Sequence, residues 1–513
     1  MYSPFQDILH TNAVPTDAEC DNIHALLRGP HKEVVDLTEE IARLQSLVEE
    51  ASQKRAKLEE FIDAHLALVS PFRRLPDDIV RAIFLATLPL TRNCTLSHME
   101  GPLLLGRVCR SWRALALTTP RLWASMHIVV PDPSQLELLT QKVAVWLDRS
   151  GAVPLDISLF YSRMAPSSFD ISSMMSPIVA VSRRWRNIQL IPDFLCPDLS
   201  PEDTPLLQSI AFKNDAESSL KSAMFLATES LRKLECLGTP LIINGPISWR
   251  SLNHFTVYSI LCDDALRILA QCPALETCQL VLRTAHEVLG SPLHPQHIPL
   301  PRLHHLSITH SRLADSRPFL DNLALPALHS YLCSFRGFGP AGIMLGALLP
   351  ATTGHLECLE IQLRRLGSAS ILAALADMPS LEELRIGREP RDENRDRDPQ
   401  FLAHLTPPSG GAGPVLCPRL RRLTLKQFKA VFDDTLLDFV RSRTGVRLEA
   451  LRESTGLDIA QLSHFACSLQ RPPQRDVRAD LRRTGCVTNV TYQQDSAVLY
   501  SPLEGLDDWA IRQ

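Results

Sequence analysis

The chain has 513 residues, of which 45% are hydrophobic and 21% are charged, and it carries a net charge of −4. The length suits two to four domains or one long repeat array, and the composition is that of an ordinary globular protein. The slight acidity argues against a general nucleic-acid binder, because such proteins carry a clear basic excess.

The sequence lacks features that would direct the chain to a membrane or an oxidising compartment. The start, MYSPFQDILHTNAVPTDAEC, has neither the basic nor the apolar region of a signal peptide. The 13 cysteines are scattered without a C-x-x-C pair. The longest uncharged apolar run, AGIMLGALLPA, is about half of the ~20 residues that a membrane span needs. We therefore expect a soluble, reduced protein of the cytoplasm or nucleus, with no membrane or nucleic-acid partner.

Residues 1–30 show no sustained hydrophobic period, so we expect them to be loosely ordered. From residue 31 to residue 70, apolar residues alternate by three and four positions, which is the heptad pattern of a long, coiled-coil-like helix. The heptad seam consists of Val34, Leu37, Ile41, Leu44, Val48, Ala51, Arg55, Leu58, Ile62, His65 and Val69. Two hypotheses follow: the helix self-associates through residues 34–69, or it lies along its own chain.

Residues 71–126 predict a small all-α module. The segment LPDDIVRAIF has Pro at the first helical position and acidic residues in the first turn. After the polar connection TRNCTLSHMEG, apolar residues from Leu105 to Ala116 recur at helical spacing. Two or three short helices cannot bury this much apolar surface among themselves. The module therefore needs a neighbour, from this chain or from another.

The order of these motifs resembles the F-box of F-box-like proteins, a family especially abundant in fungi. LPDDIVRAIF is followed by VCRSWRALALTTPRLW, and the segment between them, from Thr91 to Gly101, is longer than in many members. The resemblance implies a three-helix module that docks on a Skp-family adaptor, which joins it to a cullin and a RING ubiquitin ligase. The adaptor-binding positions that it implies are Leu75, Pro76, Ile79, Ile83, Phe84, Val108, Cys109, Trp112 and Trp123.

For single residues of the module, a structural role competes with a docking role. We expect Trp112 and Trp123 to be buried within it. Cys109 is interpreted as a small hydrophobic residue, because no His or Asn lies near it in a protease-like context. The patch as a whole is expected to dock, because a short helical module seldom keeps so many large apolar residues for itself.

Within residues 131–453 a template, Leu-x-x-apolar-x-apolar, recurs. Its copies begin at Leu207, Leu231, Leu252, Leu275, Leu303, Leu328, Leu356, Leu381 and Leu420. These leucines are 21 to 28 residues apart, except for a last interval of 39. A period of ~20–29 residues with this spacing is typical of leucine-rich repeats, in which strands and helices stack on the next repeat. The predicted fold class is therefore an α/β repeat, an irregular leucine-rich-repeat solenoid that follows the long helix and the F-box module.

Two segments do not fit the template. Residues 388–414 include REPRDENRDRDPQ and TPPSGGAGP and are expected to form a solvated, mobile insertion. Residues 433–451 predict one more helix and strand. The tail, residues 454–513, contains the candidate strands VTNVTY and SAVLYSPL. Whether this tail caps the last repeat or hangs free stays open.

Signatures of catalysis are missing from the sequence. It contains no phosphate-binding loop, dinucleotide fingerprint, zinc-protease motif or nucleophile elbow. The histidine cluster is split between a Pro-rich loop and a strand, and three cysteines fit buried repeat positions, so no metal or cofactor is expected. These groups are His294, His297, His304 and His305, and Cys262, Cys272 and Cys278.

The sequence therefore predicts a non-enzymatic, substrate-recognition subunit of a cullin–RING ubiquitin ligase. The F-box would hold the ligase through the Skp-family adaptor, and the repeat array would hold an unknown protein target. The alternative is a leucine-rich-repeat scaffold that binds protein without any ubiquitin transfer. A hydrolase with an unrecognised nucleophile is a third hypothesis, which the lack of a catalytic motif disfavours.

Overall fold

The computed structural model describes most of the chain and divides it into two compact units. The described residues are 3–130, 133–161, 171–190, 199–212, 224–237, 247–283, 297–310, 316–335, 345–349, 355–362, 367–387, 400–407, 415–428, 431–475 and 477–492. The first unit is Met1–Ile83 and the second is Phe84–Gln513. No helix among these described ranges has the length and apolarity to cross a membrane.

The first unit is dominated by one long helix, α1, from Asp17 to Leu68. A capping box starts it, because the Glu19 carboxylate accepts a hydrogen bond from the Thr16 N–H at 2.8 Å. The expectation that residues 1–30 are loosely ordered is therefore wrong from residue 17 onward. The helix runs through Pro30, whose ring and missing N–H normally stop a helix. It then continues over the whole predicted heptad region.

Short helices follow. They are a 3-10 turn at Pro71–Arg74, α2 at Asp77–Ala86, α3 at Gly101–Val108, α4 at Arg110–Leu117 and a 3-10 turn at Pro120–Trp123. Proline occupies one of the first two positions of both 3-10 turns and of α3, where a missing N–H costs nothing. The boundary between the two units falls within α2. A strand begins at Ser125, so the helical segment ends slightly before the predicted residue 126.

The second unit contains a sheet of 14 strands, all parallel and arranged in chain order. The strands are β1 Ser125–Val130, β2 Leu155–Tyr161, β3 Trp185–Leu190, β4 Ser209–Phe212, β5 Lys233–Cys236, β6 His254–Leu261, β7 Thr277–Arg283, β9 His305–His310, β11 Ser330–Phe335, β12 Cys358–Gln362, β13 Glu383–Ile386, β14 Arg422–Phe428, β15 His464–Leu469 and β16 Val487–Tyr492. A separate two-stranded parallel ladder joins β8 Ile298–Pro299 to β10 Leu323–Ala324.

Helices fill many of the connections, because parallel strands require a crossover that returns the chain. They are α5 Leu136–Arg149, α6 Ser172–Val179, α7 Cys262–Leu269, α8 Ser316–Asp321, α9 Ser368–Ala376, α10 Phe401–Leu405, α11 Asp433–Ser442, α12 Gly445–Thr455 and α13 Arg478–Arg482. Their buried residues are mostly apolar, as Ile268 and Leu269 illustrate in α7. The described part of the chain is thus an α/β fold built on one long parallel sheet, and the sheet does not close into a barrel.

The core of the sheet is formed by the sequence template. All three apolar positions of every copy are buried, and the most accessible of them, Phe212, is only 5% exposed. Successive copies are joined at equivalent backbone atoms. For example, the Glu276 carbonyl accepts from His304 N at 2.9 Å and from His305 N at 3.1 Å. Nine such carbonyls, from Gln208 to Arg421, each accept two N–H groups of the next copy. The template therefore fixes both burial and strand register.

Two boundaries of the array differ from the prediction. The helix α10 lies inside the segment expected to be a solvated insertion, and its Phe401 and Leu402 are fully buried. Residues 388–399 and 408–414 lie outside the described residues. At the other end, β15 and β16 extend the sheet beyond residue 453, and β16 coincides with the predicted strand VTNVTY. The second candidate strand of the tail, SAVLYSPL, lies outside the described residues.

A buried carboxylate secures these last strands. Asp433, at the start of α11, accepts hydrogen bonds from Arg471 at 2.5 Å, from Gln474 N at 2.8 Å and from the Tyr492 hydroxyl at 3.0 Å. Burial raises the pKa of Asp433, but these hydrogen bonds lower it by more, so the pKa lies below its ordinary value. The tail as far as Tyr492 is therefore tied to the array.

Candidate docking and target-binding surfaces

The helix α2 has two apolar faces with different environments. Val80 and Phe84, four residues apart, are buried. Ile79 and Ile83, also four residues apart, are 45% and 38% exposed. Residues at this spacing lie on one side of a helix, so each pair forms a short apolar stripe. Leu75, just before the helix, and Pro76 are exposed as well.

The helix α3 repeats this arrangement in the second unit. Leu105 is buried, whereas Leu104 and Val108, four residues apart, are 41% and 56% exposed. On α4, Leu115 and Ala116 are buried while Leu117 is exposed. The predicted adaptor-binding residues at positions 79, 83 and 108 therefore lie on accessible apolar stripes, and Leu104 joins them. Leu104 was not predicted from the sequence, although its i,i+4 spacing to Val108 indicates that the two share one side of the helix.

Cys109 interrupts the helix that the sequence predicts between residues 105 and 116. Its backbone is extended, with φ of −158°, and it separates α3 from α4. Its Sγ accepts a hydrogen bond from Trp112 N at 3.4 Å, so it caps the N-terminus of α4. The side chain is exposed. The interpretation of Cys109 as a small hydrophobic packing residue is therefore replaced by a capping role.

The two tryptophans of the module occupy different surroundings. Trp112 is partly buried and its ring lies 4.9 Å from that of Phe84. Trp123 is buried; its Nε1 donates to the Ala116 carbonyl at 2.8 Å, and its ring meets the edge of Trp146 at 4.9 Å. Because Trp146 belongs to α5, Trp123 joins the helical segment to the first crossover of the sheet. Phe84 and Trp123 thus shape the module from inside.

The polar connection between α2 and α3 covers the first edge of the sheet. Thr95 forms a bridge with His127 of β1, and His127 N donates to the Cys94 carbonyl at 2.7 Å. Gly101 ends this connection with φ of +53°, where a Cβ would lie 2.2 Å from the Cys94 Sγ. An uncovered edge strand is open to pairing with another chain, and this segment blocks it. The unusual length of the connection therefore has a structural role.

A serine and a histidine meet at this edge, which bears on the hydrolase hypothesis. The His127 Nδ1 lies 2.8 Å from the Ser158 Oγ, which also accepts from the Asn93 side chain at 3.0 Å. Ser158 is only 4% exposed, whereas a nucleophile must reach its substrate. Burial lowers the pKa of His127, and the nearby Arg92 lowers it further. The hydrogen bond from Asn93 to Ser158 fastens the connection to the sheet. Among the described residues, no group of three or more His, Cys, Asp or Glu could hold a metal ion.

The side chains that alternate with the core residues form an open face of the sheet. On β12 to β14 this face carries a charged ladder. Arg385 contacts Glu383 at 2.6 Å and Glu360 at 3.6 Å, and Arg422 contacts Glu383 at 3.1 Å. The ladder lines a groove of about 990 Å³ that extends to β16, where Asn489 contributes. Together with Lys426, the groove presents three cationic and two acidic side chains.

A β-bulge places an additional side chain in this groove. Lys426 pairs with Ser468 and Phe428 with Leu469, so Gln427 is an extra residue in β14. Its φ of +65° is unusual for a residue with a side chain. As a result, Lys426 and Gln427 are both exposed while Phe428 is buried. The sequence carries a signal for the bulge, because Phe428 follows Leu425 by three residues instead of two.

No protein-family model matches the chain, and the search of curated proteins finds no match. The surfaces described above are therefore interpreted from their own geometry.

Proposed function

We propose that the chain is a non-enzymatic adaptor that links a target protein to a cullin–RING ubiquitin ligase. In this proposal residues 71–126 act as an F-box that docks on a Skp-family adaptor, and the parallel sheet is an irregular leucine-rich-repeat solenoid that binds the target. Tethering raises the local concentration of the target beside the ligase without new chemistry. The proposal places the protein in the cytoplasm or nucleus.

The observation that carries the docking half is the pair of exposed apolar stripes. Ile79 and Ile83 form one, and Leu104 and Val108 form the other, although neighbouring apolar residues of the same helices are buried. Exposed large apolar side chains grouped on a short helix are typical of a surface that a partner covers. The resemblance of the surrounding motifs to an F-box supports the Skp-family adaptor as that partner.

The repeat half is supported by the template and its backbone ladder. Every copy buries the same three positions and passes two hydrogen bonds to the next copy from an equivalent carbonyl. Stacked units of this kind expose one row of variable side chains per strand, which suits recognition of an extended protein surface. The groove between β12 and β16, with Arg385, Arg422, Lys426 and Gln427, is the target-binding site that we favour.

Co-purification of the full chain with a recombinant Skp-family adaptor tests the docking half. We expect capture by the native chain and loss of capture by Val108→Asp, which adds a charge to the exposed stripe. Val446→Asp is the matched control, because Val446 is an 83% exposed valine of α12 and capture should persist. Circular dichroism checks that each variant is folded. A folded native chain that captures no Skp-family adaptor would contradict the ligase role and favour the scaffold alternative.

Quantitative affinity proteomics tests the target-binding half. The Lys426→Glu variant should no longer capture proteins that bind the groove, since the substitution reverses a charge beside the bulge. Lys233→Glu is the matched control, because Lys233 lies on the open face at β5, outside the groove. If the two variants lose the same partners, or neither loses any, the groove is not the site.

A further inference from the structure

The apolar seam of α1 is uncovered along its length. The eight aliphatic seam residues larger than alanine are 47% to 65% exposed, and they are Val34, Leu37, Ile41, Leu44, Val48, Leu58, Ile62 and Val69. None of the described residues of the first unit covers this seam. A strict alternation by three and four residues is the pattern that a partner helix covers by knobs-into-holes packing.

The residues of the seam indicate which partner helix fits. One set of alternate positions carries β-branched residues, namely Val34, Ile41, Val48, Ile62 and Val69. The other set carries Leu37, Leu44 and Leu58. In heptad notation these are the a and d positions, and β-branched residues at a with leucine at d favour a parallel, two-stranded coiled coil.

Charges beside the seam agree with two identical, parallel copies. In such a pair each g residue faces the e residue five positions later on the other helix. These pairs are Glu33 with Thr38, Glu40 with Gln45, Leu47 with Ser52, Lys54 with Glu59 and Phe61 with Leu66. One pair is oppositely charged, one is apolar, and none has like charges. An antiparallel pair aligned end to end would instead place Glu40 opposite Phe61 and Lys54 opposite Leu47.

We propose that two copies of the chain associate through α1 as a parallel, in-register coiled coil over Val34–Val69. Arg55 occupies an a position, so two arginines meet near the middle of the pair. Each keeps a carboxylate nearby, since Arg55 Nε lies 3.5 Å from the Glu59 Oε1 of its own helix. A polar residue at one a position lowers the stability of the pair but fixes its register. This inference is independent of the proposed function.

Sedimentation equilibrium of the full chain tests the association. We expect a dimer for the native chain and for Val35→Asp, whose valine lies outside the seam. Val48→Asp should raise the dissociation constant by roughly 100-fold or more, because it buries unpaired carboxylates in the coiled coil. Far-UV circular dichroism confirms that α1 stays helical. A monomeric native chain, or equal effects of the two variants, would overturn the proposal.

Charge reversal distinguishes the parallel from the antiparallel arrangement. Lys54→Glu alone and Glu59→Lys alone should each weaken the dimer, because each creates like-charged pairs between copies. Mixing a copy carrying Lys54→Glu with a copy carrying Glu59→Lys should restore association, since both pairs between helices then attract. Mixing that restores nothing would rule out the parallel register.

Discussion

The long helix and the parallel sheet use the same type of residue in opposite ways. In the sheet, every apolar position of the repeated template is buried within the second unit, and Leu359 is one of those that are fully buried. In α1, seam residues such as Val48 recur as regularly but remain exposed. A hydrophobic period therefore shows that a surface must be covered, and it does not show which chain covers it. The apolar residues of the template therefore stabilise the sheet, whereas association through the seam of α1 is our proposal.

Replacing an apolar residue with aspartate in the sheet and in α1 should give the largest difference in the free energy of unfolding. Leu359→Asp puts an unpaired charge into the core of the sheet and should lower the free energy of unfolding by more than ~4 kcal/mol. Val48→Asp should leave the unfolding of the sheet unchanged. Urea denaturation followed by tryptophan fluorescence measures both. A sheet equally destabilised by both substitutions would remove the contrast between the two regions.

The next largest loss of stability is expected at the C-terminal end of the sheet. Asp433→Ala removes the acceptor for Arg471, Tyr492 and two backbone N–H groups, and should cost about 3–5 kcal/mol as a broken buried ion pair. Because the folded pKa of Asp433 lies below its unfolded value of about 3.8, its contribution is complete above that pH and is lost as the pH falls through the folded pKa. The free energies of unfolding of the native chain and of Asp433→Ala should therefore converge at low pH, and acid unfolding of the two proteins measures this.

A buried histidine makes the sheet sensitive to mild acid. Burial lowers the pKa of His310 to about 4, below its unfolded value of 6.5. Its neutral form is thus favoured in the fold, and stability should fall by about 3 kcal/mol as the pH drops from 6.5 towards 4. His310→Gln should flatten this part of the stability curve. An unchanged slope would show that other groups control the pH dependence.

A smaller effect is expected where the polar connection covers the first edge of the sheet. Gly101→Ala should destabilise the second unit by about 1–3 kcal/mol, because of its positive φ and the short contact to Cys94. Adding Cys94→Ala should recover part of the loss, since it removes the clashing sulfur but not the backbone strain. Thermal unfolding of the two variants measures the difference. Full recovery would show that the backbone conformation costs nothing.

Sequence patterns predict this molecule best where many equivalent residues repeat. The template from Leu207 to Leu425 predicts both the buried positions and the strand that follows each leucine. Single residues that depart from their usual behaviour were missed. The first part of α1, as far as Pro30, was not predicted, and Cys109 splits a periodic segment into two helices by adopting an extended backbone. These outcomes depend on local backbone geometry, which hydrophobic periodicity does not record.

In the candidate sites, too, regular patterns were predicted and single residues with unusual surroundings were not. The stripes on α2 and α3 coincide with motif positions and could be anticipated, except for Leu104. The burial of Trp123 was expected, whereas that of Phe84 was not. The groove was not predicted, because its shape depends on how side chains of several strands lie together on the open face. Only the bulge at Gln427 has a signal in the sequence. The helix α10 was missed because its five residues are too few to show a period within a segment of charged and small residues.

Each strand is joined to the next through one carbonyl that accepts two N–H groups. The spacing of the strands therefore does not depend on the length of the chain between them. Leu231 and Leu252 are 21 residues apart and Leu381 and Leu420 are 39 apart. Yet Arg232 O accepts from the next copy at 2.9 and 3.0 Å, and Glu382 O does so at 2.8 and 2.9 Å. Extra residues in a crossover cost little closure entropy, since that cost grows only logarithmically. Crossovers are thus places where evolution, or an engineer, can add sequence while the open face of the sheet keeps its geometry.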